Sequence, residues 1–183
     1  GALFIGRDDQ LDSLNETYED ASKTLDSLSL LTTAQVCELV PAMRPDYVAG
    51  GILDSGALDM DVNAIHQGFL RGARANGTEL ISNAGVESLV RENGAWTVRA
   101  GGETYTAKVV INAAGAWCDQ LADLAGAKRV GLVPKRRTAI IFDGPTDMKF
   151  SDWPAFVDVD EEFYCRPESG AMMGSPADAT PMD

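Results

Sequence analysis

Positive charge is scarce in this sequence, with 15 Lys and Arg against 28 Asp and Glu for a formal net charge of −13. An excess of that sign repels phosphate backbones and anionic lipid, so neither nucleic acid nor a membrane surface is expected as a partner. Histidine is almost missing. His66 is the only one, and a lone His on a helix packs or faces solvent far more often than it catalyses. No Ser-His-Asp set, carboxylate pair or metal-ligand spacing stands out, and Asp158, Asp160, Glu161 and Glu162 read as a charged turn before a strand. The three cysteines, Cys37, Cys118 and Cys165, are odd in number and show no C-x-x-C spacing. That indicates neither a disulfide framework nor a zinc site, and a reducing cytoplasm fits best. Long apolar runs are missing too. Val109–Ile111 and the stretch from Ala139 to Phe142 are far too short to cross a bilayer, so no integral membrane segment is expected. The amino terminus carries neither an initiator Met nor a basic-then-apolar signal pattern and reads like mid-protein sequence.

What remains is ordinary globular material. The 183 residues, 45% hydrophobic and 23% charged, suffice for one good core or for two small lobes. The most informative stretch runs from Lys108 to Asp119, K-V-V-I-N-A-A-G-A-W-C-D. Val109, Val110 and Ile111 are a β-branched run short enough for a strand buried on both faces of a layered sheet. Ala113, Ala114, Gly115 and Ala116 follow with almost no side chain, before the large Trp117. Small residues at the carboxyl end of a central strand let another group approach the backbone, and in α/β sheets ligands sit at that end. Tight helix-on-strand packing explains the same residues without a ligand.

The surrounding pattern is mixed α/β. Gly1–Arg7 reads as a strand and Leu11, Leu14 and Tyr18 as one face of a helix. A short helix carries Val36, Leu39 and Val40, Tyr47–Ala49 is a short strand, and Gly50–Gly51 is expected to turn. Val62, Ile65, Phe69, Leu70 and Ala73 recur at helical spacing after Asp61, which can cap them, and Asn76–Gly77 ends the helix. Strands are expected at Glu79–Ser82 and Val86–Val90, then hairpins through Asn93–Gly94 and Gly101–Gly102. Beyond Gly126 the chain becomes strand-rich, with runs at 131–133, 138–142, 156–159, 163–166 and 171–173 that suggest a largely antiparallel sheet.

Four ordered segments carry a more specific likeness: Asp61–Gly77 (D-V-N-A-I-H-Q-G-F-L-R-G-A-R-A-N-G), Val109–Asp119, Gly131–Phe142 (G-L-V-P-K-R-R-T-A-I-I-F) and Phe163–Ala177 (F-Y-C-R-P-E-S-G-A-M-M-G-S-P-A). Together they resemble the FAD-dependent amino-acid oxidoreductases of the D-amino-acid oxidase and glycine oxidase superfamily. The K-R-R, D-W-P and G-S-P-A motifs are most similar to bacterial FAD-dependent D-arginine dehydrogenases. The resemblance implies part of a Rossmann-like FAD-binding domain plus a substrate domain with a largely antiparallel mixed sheet. On that basis residues 1–53 and 127–183 are expected in the substrate domain and residues 54–126 in the middle of the flavin domain.

The resemblance also implies roles. Val86 matches the position whose backbone meets the adenine of FAD, and Ala113, Ala114 and Gly115 match the small-residue turn beside the cofactor. Trp117 is expected beside that turn, chiefly packing it. Arg137 and Tyr164 match substrate-site residues, and a guanidinium and a phenol suit the carboxylate of an amino acid. Arg166, two residues on, should share a face with Tyr164 and is a weaker candidate. The implied reaction oxidises the C–N bond of a D-amino acid or small secondary amine to an imine by hydride transfer to flavin, followed by hydrolysis to a 2-oxo acid and ammonia. Glycine or sarcosine oxidation is an alternative in the same superfamily, and the electron acceptor is open.

Two departures from the family pattern bear on this reading. No G-x-G-x-x-G follows a strand, so the turn that would hold the pyrophosphate on a helix amino terminus is missing. The sequence therefore reads as an internal fragment, expected to be inactive alone, and the alternative from another class is a cofactor-free binding module kept from the substrate domain. The first strand, Gly1-Ala2-Leu3, also lacks the acid that meets a guanidinium in the D-arginine enzymes. Weak use of D-arginine, and better use of apolar or small D-amino acids or N-methylated amines, is the expectation.

Overall fold

The structure is a computed structural model that describes residues 1–182. In chain order the elements are β1 (Ala2–Gly6), α1 (Leu11–Ala21), β2 (Leu28–Thr32), α2 (Thr33–Leu39), β3 (Gly50–Asp54), α3 (Val62–Ala75), β4 (Val86–Glu92), β5 (Ala95–Ala100), β6 (Glu103–Ala107), α4 (Cys118–Leu124), β7 (Lys135–Arg136), β8 (Ile140–Phe142), β9 (Ala155–Asp158), β10 (Tyr164–Glu168), β11 (Ala171–Ser175) and β12 (Thr180–Pro181). They fall into two compact units. One holds Gly1–Met60 with Arg136–Thr180, the other Asp61–Lys135 with Pro181 and Met182.

The first unit is built on a seven-stranded sheet in the order β2-β3-β1-β9-β10-β11-β8. Only the β1–β9 pair is parallel and every other pair is antiparallel, so the sheet is mixed and mostly antiparallel, in line with the strand-rich reading. The core lies where β1 and β3 meet α2, around the buried Leu3, Ile5, Val36, Val40 and Val48. Trp153 of the D-W-P motif packs against it with Phe156 and Phe163. Helix α2 starts at a capping box in which the Thr32 side chain and Gln35 satisfy each other's backbone N–H groups.

One glycine pair corrects the sequence reading. Gly50 and Gly51 do not turn; they open β3, pairing with Gly6 and Ile5 on one side and with Thr32 and Leu31 on the other. A Cβ on Gly51 would lie 2.8 Å from the Phe4 carbonyl oxygen and 3.1 Å from Val36 Cγ2. The residue is small so that α2 can sit against the sheet.

The second unit contains the three-stranded antiparallel meander β4-β5-β6 and helices α3 and α4. The β4–β5 hairpin turns at Asn93 (φ +50°) and Gly94 (φ +80°), the left-handed pair that a two-residue hairpin loop requires. Asp61 caps α3 by accepting from the Ala64 amide at 2.8 Å, and Gly77 (φ +81°) follows its last turn.

Four expected strands do not form. At Tyr47–Ala49 the chain turns instead, with the Tyr47 and Val48 amides donating to the Arg44 carbonyl at 3.0 and 3.2 Å. Val109–Ile111, expected to be buried on both faces, lies outside every sheet, with Val109 72% and Ile111 84% exposed. Glu79–Ser82 is likewise unpaired. Both runs have the right side chains, but a strand exists only against a neighbouring backbone, and none among the described residues takes that place. In Gly131–Val133 the cause is local. The amides of Val130, Gly131 and Leu132 donate to the Asp119 carboxylate at 2.9, 3.0 and 3.1 Å, which removes them from any ladder.

The units also change over later than the sequence boundaries at 53/54 and 126/127. Asp54 accepts from Ser27 Oγ and the Gly56 amide, and Asp59 pairs with Arg166, so residues 55–60 stay with the first unit. The Asp119 clamp keeps 130–132 with the second.

Candidate functional site

In the first unit, Arg137 and Tyr164 line one cleft of about 260 Å³ together with Val157, Glu161, Phe163 and Ala177. The size suits a ligand of amino-acid dimensions. Tyr164 opens β10, where it pairs with Val157 of β9 and Ser175 of β11. Arg137 is set by its neighbours. The Thr138 amide and hydroxyl both donate to Asp178, at 2.6 and 2.9 Å, and Arg136 Nε lies 3.9 Å from the same carboxylate. With Arg136 turned to Asp178, the next side chain along an extended chain faces the other way, into the cleft. Thr138, chiefly through its amide, and Arg136 hold the Asp178 carboxyl below its ordinary range. Among the described residues Arg137 makes no ion pair and no side-chain hydrogen bond. Its guanidinium is available to an anion.

Arg166 behaves differently. Its guanidinium donates to Asp59 at 3.0 Å and to Glu168, so it is committed within the unit and does not act as a second carboxylate site. Its Nε is buried without a partner.

The far wall of the cleft is the hairpin between β9 and β10. Asp158 is fully buried and accepts from the Gln10 amide group (3.1 Å), the Asp160 amide (3.0 Å), the Glu162 amide (3.4 Å) and Arg7 (3.4 Å). Arg7 also donates to Glu162 at 2.9 Å and lies over the Tyr47 ring, and Gln10 also donates to Asp160 at 2.8 Å. Tyr47 and Glu162 raise the Arg7 pKa further, so this cation is permanent. The acids that read from sequence as a merely charged turn thus include one carboxylate, Asp158, that builds the hairpin. A buried acid paired with an Arg and a Gln some 150 residues earlier in the chain leaves no local signal.

In the second unit, Val86, Ala114 and Trp117 come together around a cleft of about 320 Å³ with Gly85, Gln120, Leu121 and Leu124. The turn before α4 is held by Asn112, whose amide nitrogen donates to the Cys118 carbonyl (2.9 Å) and whose oxygen accepts from the Ala114 amide (3.2 Å). Gly115 takes φ +56°, Ala113 is exposed, and a Cβ on Gly115 would meet nothing within 4 Å. The small-residue turn therefore presents an open, uncrowded face. Trp117 corrects the packing expectation. It is 66% exposed and stands at the rim of the cleft instead of filling the turn, because the one-turn 3₁₀ helix Gly115–Trp117 carries it outward. Among the described residues no group of three or more potential metal ligands occurs, and no helix is long and apolar enough to cross a membrane.

Comparison with known proteins identifies the family and the fold. Residues 1–183 match a family described as DAO, FAD dependent oxidoreductase. The mitochondrial dimethylglycine dehydrogenase of Homo sapiens is 24% identical over 150 residues, 80% of this chain and 17% of that protein. Among solved structures, the L-proline dehydrogenase from P. horikoshii is similar with a TM-score of 0.80 at 20% identity, covering 94% of this chain and 47% of that one. The glycine oxidase from Geobacillus kaustophilus gives a TM-score of 0.80 at 17% identity, covering 100% and 48%. The chain thus spans about half the length of these solved chains and a sixth of the curated relative.

Proposed function

The chain belongs to the FAD-dependent oxidoreductase family, and from that premise we propose that the protein it represents oxidises the C–N bond of a D-amino acid or small secondary amine. The observation that carries the reading is the cleft lined by both Tyr164 and Arg137, whose side chain has no hydrogen-bond or ion-pair partner among the described residues. A guanidinium there binds the substrate carboxylate, in a two-pronged fork where geometry allows, and the phenol adds a second hydrogen bond that orients it. Among the proteins similar to this chain are ones named for glycine, L-proline and dimethylglycine, each of which carries a carboxylate beside an amine. Family membership favours an oxidoreductase over a cofactor-free binding module. The likeness to dimethylglycine dehydrogenase and glycine oxidase supports glycine and N-methylated glycines as the second substrate class.

The first unit is the substrate-binding part in this reading and the second contributes one wall of the flavin site. Residues fit that role: Ala113, Ala114 and Gly115 leave an open face with little side chain to collide with a planar group, Val86 lines the same cleft as Ala114, and Trp117 stands at its rim. FAD, when bound, supplies the electron acceptor for the oxidation. The chain's own residues supply binding and orientation: Arg137 and Tyr164 hold the carboxylate, so that the carbon bearing the amine is presented in one pose. The substrate amine must lose its proton before the C–N bond can be oxidised, and activity should rise with pH until it does. The resulting imine hydrolyses to a 2-oxo acid, with release of ammonia from a primary amine or of a primary amine from a secondary one. The complete flavoprotein, supplied with D- and L-amino acids, glycine and sarcosine, should release a 2-oxo acid trapped as its hydrazone, with one nitrogen per oxo acid. Purification without flavin, and no oxo acid from any substrate, would refute the proposal.

A further inference from the structure

Tyr164 stands at the loose end of two ladders. It makes the end pair of the five that join β10 to β11, and one of only two that join β10 to β9. Just before it the chain makes the hairpin that walls the cleft, where Asp158, Asp160, Glu161 and Glu162 crowd together. We infer that Arg7, which the reaction so far does not use, is a positioning residue: it offsets the charge of this hairpin and thereby holds Phe163 and Tyr164 in place in the cleft. The inference rests on the C–N oxidation proposed for the same cleft.

Strand register brings Arg7 to the hairpin. β1 runs parallel to β9 with Ile5 paired to Asp158, and the Val159 amide donates to the Ile5 carbonyl at 2.8 Å. Two residues beyond Ile5, the Arg7 guanidinium reaches across the turn, donating through Nη1 to Glu162 at 2.9 Å and to the fully buried Asp158 at 3.4 Å. Among the described residues no other cation pairs with any of the four acids. Gln10 and the turn amides also donate to Asp158, but they are neutral and leave the net charge of the turn as it is. Arg7 is itself held in place. Its Nε donates to Asp9 at 3.2 Å, its Nη1 to the Tyr47 hydroxyl at 3.4 Å, and its amide to the Gln10 side chain at 3.0 Å.

Electrostatics says what its removal does. A buried Asp158 without a cation keeps its desolvation cost unrelieved, and the acids around it repel one another across the turn. The turn relieves this by opening, because the two ladder pairs below it are a slight restraint. Opening displaces Phe163 and Tyr164, which line the cleft at the foot of the hairpin. Arg137 stays where it is, since Thr138 and Asp178 hold it separately. The residues of the flavin cleft belong to the second unit and are untouched. The loss therefore falls on the hold on the substrate carboxylate, and a saturated enzyme keeps its turnover.

Arg7→Met keeps the apolar stem of the side chain and removes its charge. In the complete flavoprotein it should raise KM for the best substrate among D-amino acids, glycine and sarcosine by about five- to tenfold with kcat within about twofold, and Arg7→Lys should recover most of the loss. Because charge is the cause, adding Asp160→Asn and Glu162→Gln to Arg7→Met should return KM to within about twofold of the parent, and the ratio of the Arg7→Met KM to the parent KM should fall as added salt screens the acids. An unchanged KM in Arg7→Met, or a raised KM that neither neutralisation nor salt lowers, overturns the inference while the oxidation reading stands. Where Arg7→Met does not fold, the triple variant decides: a folded protein with near-parent KM supports the inference, and one that also fails to fold overturns it. If the parent oxidises no substrate, the oxidation reading falls, and hydrogen exchange at the Asp158 and Glu161 amides, which donate to the Phe163 and Asp158 carbonyls, decides the role of Arg7. Faster exchange in Arg7→Met that slows again in the triple variant supports it, and any other pattern overturns it.

Discussion

Thr138 and Asp178 are joined twice, amide to one carboxylate oxygen at 2.6 Å and hydroxyl to the other at 2.9 Å. This pair of hydrogen bonds fixes the residue between Arg136 and Thr138, which is Arg137, and it fixes the strand exit that carries Ala177 into the same cleft. Asp178 has its pKa lowered in the fold. A group so depressed adds stability above its unfolded pKa and loses that contribution as pH falls through the folded value. The expected result is that acid, below the ordinary carboxylate range, loosens Arg137 before the core melts. Asp178→Asn should show a raised KM for the substrate carboxylate already at neutral pH and little further acid sensitivity, read from KM profiles of the two proteins.

Removing the Arg137 guanidinium should cost on the order of 10- to 100-fold in kcat/KM, the worth of a charge-assisted hydrogen-bond pair. Most of that should appear in KM. Arg137→Lys should recover only part, because an ammonium cannot fork. Steady-state kinetics of both variants check this, and an Arg137→Ala enzyme with unchanged KM would move the carboxylate elsewhere.

Tyr164→Phe keeps the ring between β9 and β11 and removes one hydrogen bond, so a loss of up to about tenfold in kcat/KM is expected. Thermal unfolding should be nearly unchanged, and a large drop in Tm would instead assign the hydroxyl to the fold.

The hairpin beneath the cleft separates strain from support. Glu161→Gly should stabilise the protein by up to ~1 kcal/mol by relieving the left-handed backbone. Asp158→Ala should destabilise by about 1–3 kcal/mol, because it strands buried donors from Gln10 and the turn amides. Denaturant unfolding of the flavoprotein measures both, and the opposite signs are the diagnostic result.

Much of the fold was legible in the sequence, and the exceptions share one physical cause. Helix α3, its Asp61 cap and the Asn93–Gly94 hairpin depend on neighbours a few residues away, and local pattern was enough to read them. Val109–Ile111 was read as a strand from its side chains alone, yet a strand also needs a partner backbone, and pattern carries no information about that. Gly50–Gly51 looked like turn residues, because nothing nearby shows that Val36 and the Phe4 carbonyl approach from elsewhere. In the cleft, Arg137 and Tyr164 were found through motif resemblance. Glu161 lies in a run of acids, and only the structure shows that Arg7 and Gln10 hold its neighbours while its own side chain has no partner among the described residues.

Anaerobic bleaching of the flavin absorbance in the complete protein tests C–N oxidation most directly. A D-amino acid or small secondary amine should bleach it, the rate should rise with pH as the amine loses its proton, and Arg137→Ala should bleach only at far higher substrate concentration. Flavin that stays oxidised with every D- and L-amino acid, glycine and sarcosine, at any pH, would contradict the proposed chemistry.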